Sequence, residues 1–363
     1  MKIVVIGTRG IPEIQGGVET HCQQLYPRIA AMGHDVTIVR RTPYVGASKG
    51  MKEFKGVHLV DVYAPRKKSI EAIVHTTLAM LKARSLNPDV LHVHAIGPGL
   101  LVPFARLLGM KVVSTNHGPD YDRQKWGRLA KFVLKTGERL SAKGSNKVIV
   151  ISQVIADILS TKYGRKDTEL IYNGVEIPNL STDTDYIERL GLKPNRYVVA
   201  VGRFVEEKGF HDLIRAFASL APEGYKLAIA GDADHEDGYS RSLKQLAAEY
   251  GVVLTGFIRG EKMRQLMSNA SLFCLPSYHE GLPIVLLEAM SYARDVAVSD
   301  IPANRLPVLS PDDYYHVGNV EALASLLGRK LKAGATPRKY DLSNYDWDNI
   351  ARQTVEVYRR VLT

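Results

Sequence analysis

Two doubly wound α/β domains, each a parallel sheet covered by helices on both faces, are predicted by three features of this 363-residue sequence. Short β-branched runs alternate with helical or loop stretches along most of the chain, the pattern of parallel strands joined by helical crossovers. The alternation lapses once, around 176–195, in the polar stretch Pro178-Asn179-Leu180-Ser181-Thr182-Asp183, and then restarts. Glycine-rich and polar segments in both halves come directly after predicted strands, where open parallel sheets bind ligands. Domains of 1–175 and 176–345 follow, facing a central cleft, with a last helix at about 346–361 packing back on the first.

The strands of the first half are read at Lys2–Ile6, Asp35–Val39, Val57–Val60, Val90–Val93, Lys111–Ser114 and Lys147–Ile151, with helical stretches such as Val18–Ala31 and Ser69–Leu86 between them. The second half has strands at Tyr197–Val201, Lys226–Ala230, Val252–Thr255, Leu272–Leu275 and Val296–Val298. Helices near 209–220, 239–250, 261–269 and 283–292 alternate with these. The opening run Met1–Gly7 is too short for a signal peptide and reads as a buried first strand.

Composition sets the class. Apolar residues make up 45% and charged residues 24%, as in a soluble globular protein. No apolar run reaches the roughly 20 residues of a membrane span. Cys22 and Cys274 lie in apolar patterns without metal spacing and read as structural thiols. Residues 1–175 hold 26 Lys and Arg against 13 Asp and Glu, whereas the remainder holds 22 against 25. A basic first half implies an anionic partner there. Nucleic acid is excluded by the lack of a reading motif or stacking aromatics.

The most informative segment is Pro276–Met290, with Glu280 and Glu288 eight residues apart. Pro283 fits the first turn of a helix. This places Glu280 just ahead of a helix N-terminus and Glu288 about one and a half turns inside it, with Cα atoms on the order of 10 Å apart. The amides around Gly281 and Leu282 favour an anion between them. A ligand with phosphate in the middle and hydroxyls at both ends, such as a nucleotide sugar, suits that arrangement.

Other segments converge on the same chemistry. In Gly202–Gly209, Arg203 and Lys208 are placed to clamp a pyrophosphate, one as a fork and one as a point charge. The loop Gly7–Thr20 is neither a dinucleotide fingerprint nor a P-loop, but Gly16 and Gly17 allow backbone to approach a ligand closely. His117 lies just past a strand beside Gly118 and is a site candidate. His92 and His94 share one face of a strand and, with no third ligand in view, read as hydrogen-bonded histidines. The Asp232–Asp237 stretch reads as a solvated acidic loop. Residues 123–147, with Arg123, Lys125, Arg128, Lys131, Lys135, Arg139, Lys143 and Lys147 against Glu138 alone, read either as a basic amphipathic helix for an anionic membrane surface or as a docked helix with a solvated face. Pro65-Arg66-Lys67-Lys68 adds a second basic patch.

Taken together, these residues resemble glycosyltransferase family 4, whose fold, GT-B, pairs two Rossmann-like domains. The likeness rests on Glu280-x7-Glu288, on Gly202-Arg203 with Lys208-Gly209, on Asn173-Gly174-Val175 and on Gly16-Gly17. Gly7–Glu19 and Asn116–Glu138 look like the branch of rhamnosyl- and related transferases of bacterial surface polysaccharide synthesis. The resemblance implies sugar transfer from a UDP-, GDP- or dTDP-linked donor with retained anomeric configuration, to a glycan or lipid-linked acceptor, at the inner face of the cell membrane.

In the family's pattern Arg203 and Lys208 hold the diphosphate, Gly16 and Gly17 approach it, and Glu288 accepts from the ribose hydroxyls. Glu280, Gly281 and Leu282 address the donor sugar, and His117 lies near that sugar. Asn173 joins the substrate-binding set, and a loop at Gly256-Phe257-Ile258 contacts the base. No cofactor or metal ion is implied. The family is thought to react on the front face of the sugar, so Glu280 is expected to position rather than attack. A GT-B epimerase or phosphorylase and a non-catalytic nucleotide-sugar-binding protein are the alternatives. One segment departs from the pattern: Ala293 and Asp295 stand where relatives carry Gly and Pro, and Ala is costly if that turn needs positive φ.

Overall fold

The computed structural model describes residues 1–363 apart from 66–70, 120, 122–126 and 234–235 and the side chain of Ala47. Its contacts divide the chain into two compact units, Met1–Gly174 with Asn344–Thr363, and Val175–Ser343.

The first unit runs β1 (Lys2–Ile6), α1 (Gly17–Ala31), β2 (Asp35–Arg41), β3 (Glu53–Phe54), β4 (Val57–Val62), α2 (Glu71–Ser85), β5 (Val90–His94), α3 (Val102–Leu107), β6 (Val112–Asn116), α4 (Arg128–Gly144), β7 (Lys147–Val150), α5 (Gln153–Tyr163) and β8 (Thr168–Leu170). Its eight strands are ordered β3-β4-β2-β1-β5-β6-β7-β8, parallel except for the β3–β4 pair. Strands β1, β2 and β5 are almost wholly buried, which is why apolar residues dominate them, with Thr37, Arg40, His92 and His94 as buried polar exceptions. From β1 the chain winds outward to β2 and β4, then returns to β5 on the other side of β1. That reversal opens a crevice at the carboxyl ends of β1 and β5.

The second unit runs α6 (Asp185–Arg189), β9 (Tyr197–Val201), α7 (Phe210–Leu220), β10 (Lys226–Ala230), α8 (Gly238–Glu249), β11 (Val253–Gly256), α9 (Gly260–Ser268), β12 (Leu272–Leu275), α10 (Ile284–Ser291), β13 (Asp295–Ser299), β14 (Tyr314–Tyr315) and α11 (Val320–Ala333). Its parallel sheet has the order β11-β10-β9-β12-β13-β14, so winding reverses between β9 and β12. The stretch around 176–195, where the alternation lapses, contains α6, held to α9 where the Tyr186 amide donates to Gln265 Oε1 at 2.9 Å.

The last helix, α12 (Trp347–Leu362), belongs to the first unit. Trp347, Ile350, Ala351, Val355, Tyr358 and Val361 recur at helical spacing and are buried with α1 and the sheet. Each large side chain among them contributes roughly 1.5–3 kcal/mol of burial. The Trp347 ring covers Gly174 so closely that a Cβ there would lie 2.5 Å from it, which accounts for the glycine of Asn173-Gly174.

The 293–307 segment, which departs from the expected pattern at Ala293 and Asp295, is held by its own ion pairs and hydrogen bonds. Ala293 follows α10 with φ +56°, the left-handed conformation that favours glycine. Asp295, two residues on, accepts from Lys330 Nζ at 2.9 Å and Arg338 Nη1 at 3.2 Å. The same two cations reach Asp313, which is fully buried, at 2.9 and 2.5 Å. Burial opposes ionisation of Asp313, but hydrogen bonds from Arg338 and Lys330 outweigh it and hold the carboxyl below its ordinary range. Further along, Asn304 Nδ2 donates to the Ser299 hydroxyl, and that hydroxyl donates to the Ser277 carbonyl at 2.5 Å, tying the segment to the loop after β12. Replacing Ala293 by Gly removes the steric cost of the left-handed Cβ. We expect Ala293→Gly to raise unfolding stability by about 0.5–1 kcal/mol, measured by chemical denaturation.

Candidate active site

In the second unit, the loops leaving β9 and β12 meet at the winding reversal. Gly209 takes φ +64° to start α7, and a Cβ on it would lie 2.1 Å from the Pro276 carbonyl oxygen, so glycine alone lets these loops touch. The Tyr278 amide donates to the Glu207 carbonyl at 2.8 Å. The Tyr278 hydroxyl donates to Asp212 Oδ2 at 2.5 Å, and its ring stacks on His211. This scaffold brings Lys208 Nζ to 2.6 Å from Glu280 Oε1, with the two side chains only 18% and 11% exposed. Arg203 is half-buried in the β9 loop.

The structure shifts one expected boundary by a residue. Pro283 lies just outside α10 as its N-cap, where its carbonyl accepts from the Leu286 amide at 3.0 Å, and the helix begins at Ile284. Gly281 and Leu282 lead into that end, Leu282 buried and Gly281 half-buried. The amides of a helix's first turn have no partner within it and favour an anion. Glu288 is the fifth residue of α10 and half-buried. Burial pushes its carboxyl up to about 7, with repulsion from Glu176 adding to the shift.

Gly256 ends β11 at the edge of this sheet, two strands from β9, and Phe257 follows it. At roughly 4.8 Å per strand that is about 10 Å from the β9 loop, within the reach of an extended nucleotide. Phe257 is 47% exposed, and the Arg259 guanidinium lies 4.4 Å from its ring centre. A shallow depression of about 600 Å³ is lined there by Phe257, Ile258, Arg259, Glu261 and Lys262. In the acidic loop beyond β10, Asp232 pairs with Lys244 at 3.0 Å and Asp237 caps α8; Asp234 and His235 lie outside the described residues.

In the first unit, the loop after β1 is tighter than its glycines suggested. A Cβ on Gly16 would strike the Glu19 carboxylate and Arg9, whereas Gly17 faces open space. Only Gly17 therefore offers a ligand free approach. At the carboxyl ends of β5 and β6 a cluster of histidines collects. His94 Nδ1 lies 2.9 Å from His117 Nε2, and His21, from α1, stands edge-on to His117 with its own Nδ1 2.9 Å from Asn173 Oδ1. Asn173 is thus buried as a support for His21. Burial lowers the basicity of His21 to about 4 and of His117 and His94 well below the usual range, so all three are neutral imidazoles.

His21, His94 and His117, but not His92, bring ligand atoms within 4.8 Å of one another. The pair at 2.9 Å is nevertheless a hydrogen bond. Two nitrogens bound tetrahedrally to one zinc at 2.0–2.1 Å stand about 3.3 Å apart, with lone pairs converging on the metal.

Two features here escaped the sequence. Glu138, the lone acid among the basic residues of α4, is buried and accepts from Asn116 Nδ2, Tyr121 Oη and Tyr163 Oη at 3.1, 2.9 and 2.8 Å. It anchors the loop that carries His117. The helix read across 123–147 spans Arg128–Gly144; Lys147 opens β7, and Arg123, Lys125 and Trp126 lie outside the described residues, as do Arg66, Lys67 and Lys68. The C-terminal half of α4 is docked, with Gly137 against the Ile96 carbonyl. Its N-terminal half leaves Leu129 78% and Phe132 68% exposed beside Arg128, Lys131 and Lys135. The docked reading holds for the C-terminal half, and the N-terminal half presents apolar and basic side chains to solvent.

Two doubly wound α/β units, each with a crevice at the carboxyl ends of its strands, have the GT-B architecture. Residues 15–177 match the family model described as Glycosyltransferase Family 4, and residues 183–340 that described as Glycosyl transferases group 1. The chain belongs to glycosyltransferase family 4 and is a glycosyltransferase. It is 26% identical over 99% of its length to a glycosyltransferase of Methanocaldococcus jannaschii, covering 98% of that protein, and 29% identical over 99% to the alpha-maltose-1-phosphate synthase of Mycolicibacterium smegmatis, covering all of it. A teichuronic acid biosynthesis glycosyltransferase of Bacillus subtilis, described as putative, is 26% identical over 78% of the chain and 76% of its own. Among solved structures, the sucrose-phosphate synthase of Thermosynechococcus elongatus superposes with a TM-score of 0.81 at 21% identity, covering 99% of this chain and 98% of that one. Anabaena HepE in complex with UDP-glucose gives 0.80 at 19% identity, with 99% of each chain covered.

The raised Glu288 carboxyl has a consequence for stability. The folded chain keeps this proton up to about pH 7, whereas the unfolded chain releases it near 4.5. Folding therefore loses stability from this group as pH rises between those values and is level above them. Glu288→Gln removes the loss. The stability advantage of that variant should grow from pH 5 to pH 7 and then hold, measured by denaturant unfolding; parallel curves for the two proteins would contradict the assignment.

Proposed function

We propose that this glycosyltransferase moves a sugar from a nucleoside diphosphate donor, with retention of anomeric configuration, to a glycan or lipid-linked glycan acceptor in bacterial surface polysaccharide synthesis. The observation that carries this reading is the Lys208–Glu280 pair between the β9 and β12 loops, beside the N-terminus of α10. Lys208 and Arg203 supply cationic donors for a diphosphate, and the helix end supplies amides. Charge that develops on the leaving diphosphate is thereby stabilised without a metal ion. Glu288 accepts from the ribose, and the Phe257–Arg259 face stacks the base.

Glu280, held by Lys208, addresses the sugar and does not attack it. The leaving phosphate takes the proton of the acceptor hydroxyl, as the new glycosidic bond forms on the face from which the old one breaks. His117, in the first unit, is the candidate there for a hydrogen bond to substrate. HepE, whose solved complex holds UDP-glucose, supports a nucleotide-sugar donor, and the teichuronic acid enzyme of Bacillus subtilis supports a surface-glycan role. The exposed Leu129 and Phe132 among basic residues suit the inner face of an anionic membrane.

A thermal-shift series over UDP, GDP and dTDP tests the donor site. At a hundredfold excess over Kd, a matching nucleotide stabilises by about 2.7 kcal/mol. Glu288→Ala should abolish most of that protection, and a lack of stabilisation by every nucleoside diphosphate would count against the reading. Membrane attachment is tested by co-sedimentation with vesicles rich in anionic lipid. Leu129→Ser with Phe132→Ser should cut the bound fraction several-fold; equal binding by the variant contradicts it.

A further inference from the structure

His117 is the end of a buried hydrogen-bond chain that none of the site chemistry above uses. Its Nε2 meets His94 Nδ1 at 2.9 Å; His94 Nε2 meets the Tyr26 hydroxyl at 2.5 Å; and that hydroxyl lies 3.0 Å from His92 Nδ1. His92 Nδ1 also meets the Tyr358 hydroxyl at 2.6 Å, and its Nε2 meets Thr115 Oγ1 at 2.7 Å. The members come from α1, β5, β6, the loop after β6 and α12. Apart from half-buried His117, every one is buried.

We infer that Tyr26 and His94 are positioning residues that set the tautomer of His117, fixing it as a neutral imidazole with its proton on Nδ1 and its Nε2 as acceptor. The derivation is proton counting. A neutral imidazole carries one ring proton, so the direction of one link determines the next. The Tyr26 hydroxyl has a single proton and three neighbours, His94 at 2.5 Å, His92 at 3.0 Å and the Tyr358 hydroxyl. It donates along the shorter contact. His92 Nδ1 is meanwhile served by Tyr358 at 2.6 Å, so it does not need that proton. His94 Nε2 is then an acceptor, and its own proton is on Nδ1. From there it donates to His117 Nε2, which leaves the His117 proton on Nδ1.

The opposite order needs Tyr26 to give its proton to His92, over the longer contact, or to the Tyr358 hydroxyl, and so to accept rather than donate at its shortest contact. Burial, which holds all three rings far below their usual basicity, keeps the chain from taking up an extra proton near neutral pH. His117 accordingly offers a bound ligand a fixed hydrogen-bond donor and does not act as a base. This function rests on the proposed reading of His117 as a substrate-binding residue.

Nitrogen-15 NMR of histidine rings in the full chain tests it, with His117→Gln assigning the signals. In the ligand-free protein, a pyrrole-type Nδ1 and a pyridine-type Nε2 on His117 are expected from pH 6 to pH 8. The reverse pattern, or a charged ring, overturns the inference. In Tyr26→Phe the His117 pattern should become mixed, and kcat should fall by about tenfold, the worth of one hydrogen bond, with the donor KM within about twofold. An unchanged pattern in that variant also overturns it. If Tyr26→Phe does not fold, the wild-type spectrum alone decides. Addition of a stabilising nucleotide sugar should move the Nδ1 signal. With the tautomer as expected but no movement, the reading of His117 as a substrate-binding residue fails while the role of Tyr26 and His94 stands.

Discussion

The ion pair of Lys208 with Glu280, 2.6 Å long and largely shielded from water, is the interaction around which the second unit's site is built. Neither residue reaches the other unless the β9 and β12 loops touch, and they touch only because Gly209 has no side chain. A shielded pair is worth little net stability against its desolvation, but losing either partner leaves a charge without compensation. The pair therefore holds a cation and a carboxylate in fixed places at the end of a helix. On the proposed reading, a diphosphate arriving there would meet Lys208 already oriented, leaving less ordering to binding.

Each sheet repeats the same logic on its own terms. Winding reverses at β1/β5 in one and at β9/β12 in the other, and each reversal gathers the polar groups its loops carry. In the second unit these are charged, suited to phosphate. In the first they are neutral imidazoles, amides and hydroxyls, suited to sugar hydroxyls. The C-terminal helix contributes to the first set through Tyr358 and supports it through Trp347, so α12 bears on the histidine cluster as well as on the core.

Legibility in the sequence followed the range of the forces involved. β1, β9, β10 and β12 were readable to the residue because strands buried on both faces are unbroken apolar runs. The short β3, β8 and β14 were not, since two or three residues at a sheet edge have no pattern. α11 was missed although Val320, Leu323, Leu326, Leu327 and Leu331 carry helical spacing behind an Asn319 cap. The Ala293 turn was flagged because its glycine requirement is local, whereas the Lys330 and Arg338 partners of Asp295 come from 35 and 43 residues away. His92 and His94 were rightly placed on one face, but Tyr26 and His21 carry no local signal. Their cluster exists only after α1, β5 and the β6 loop are assembled.

The most direct measurement is a structure of the chain with an intact nucleotide sugar whose nucleotide is chosen by stabilisation. The account predicts diphosphate oxygens within hydrogen-bond distance of Lys208 Nζ and Arg203, the ribose hydroxyls on Glu288 and the sugar beside Glu280. A nucleotide bound elsewhere, with the Lys208–Glu280 contact untouched by phosphate or sugar, would contradict it.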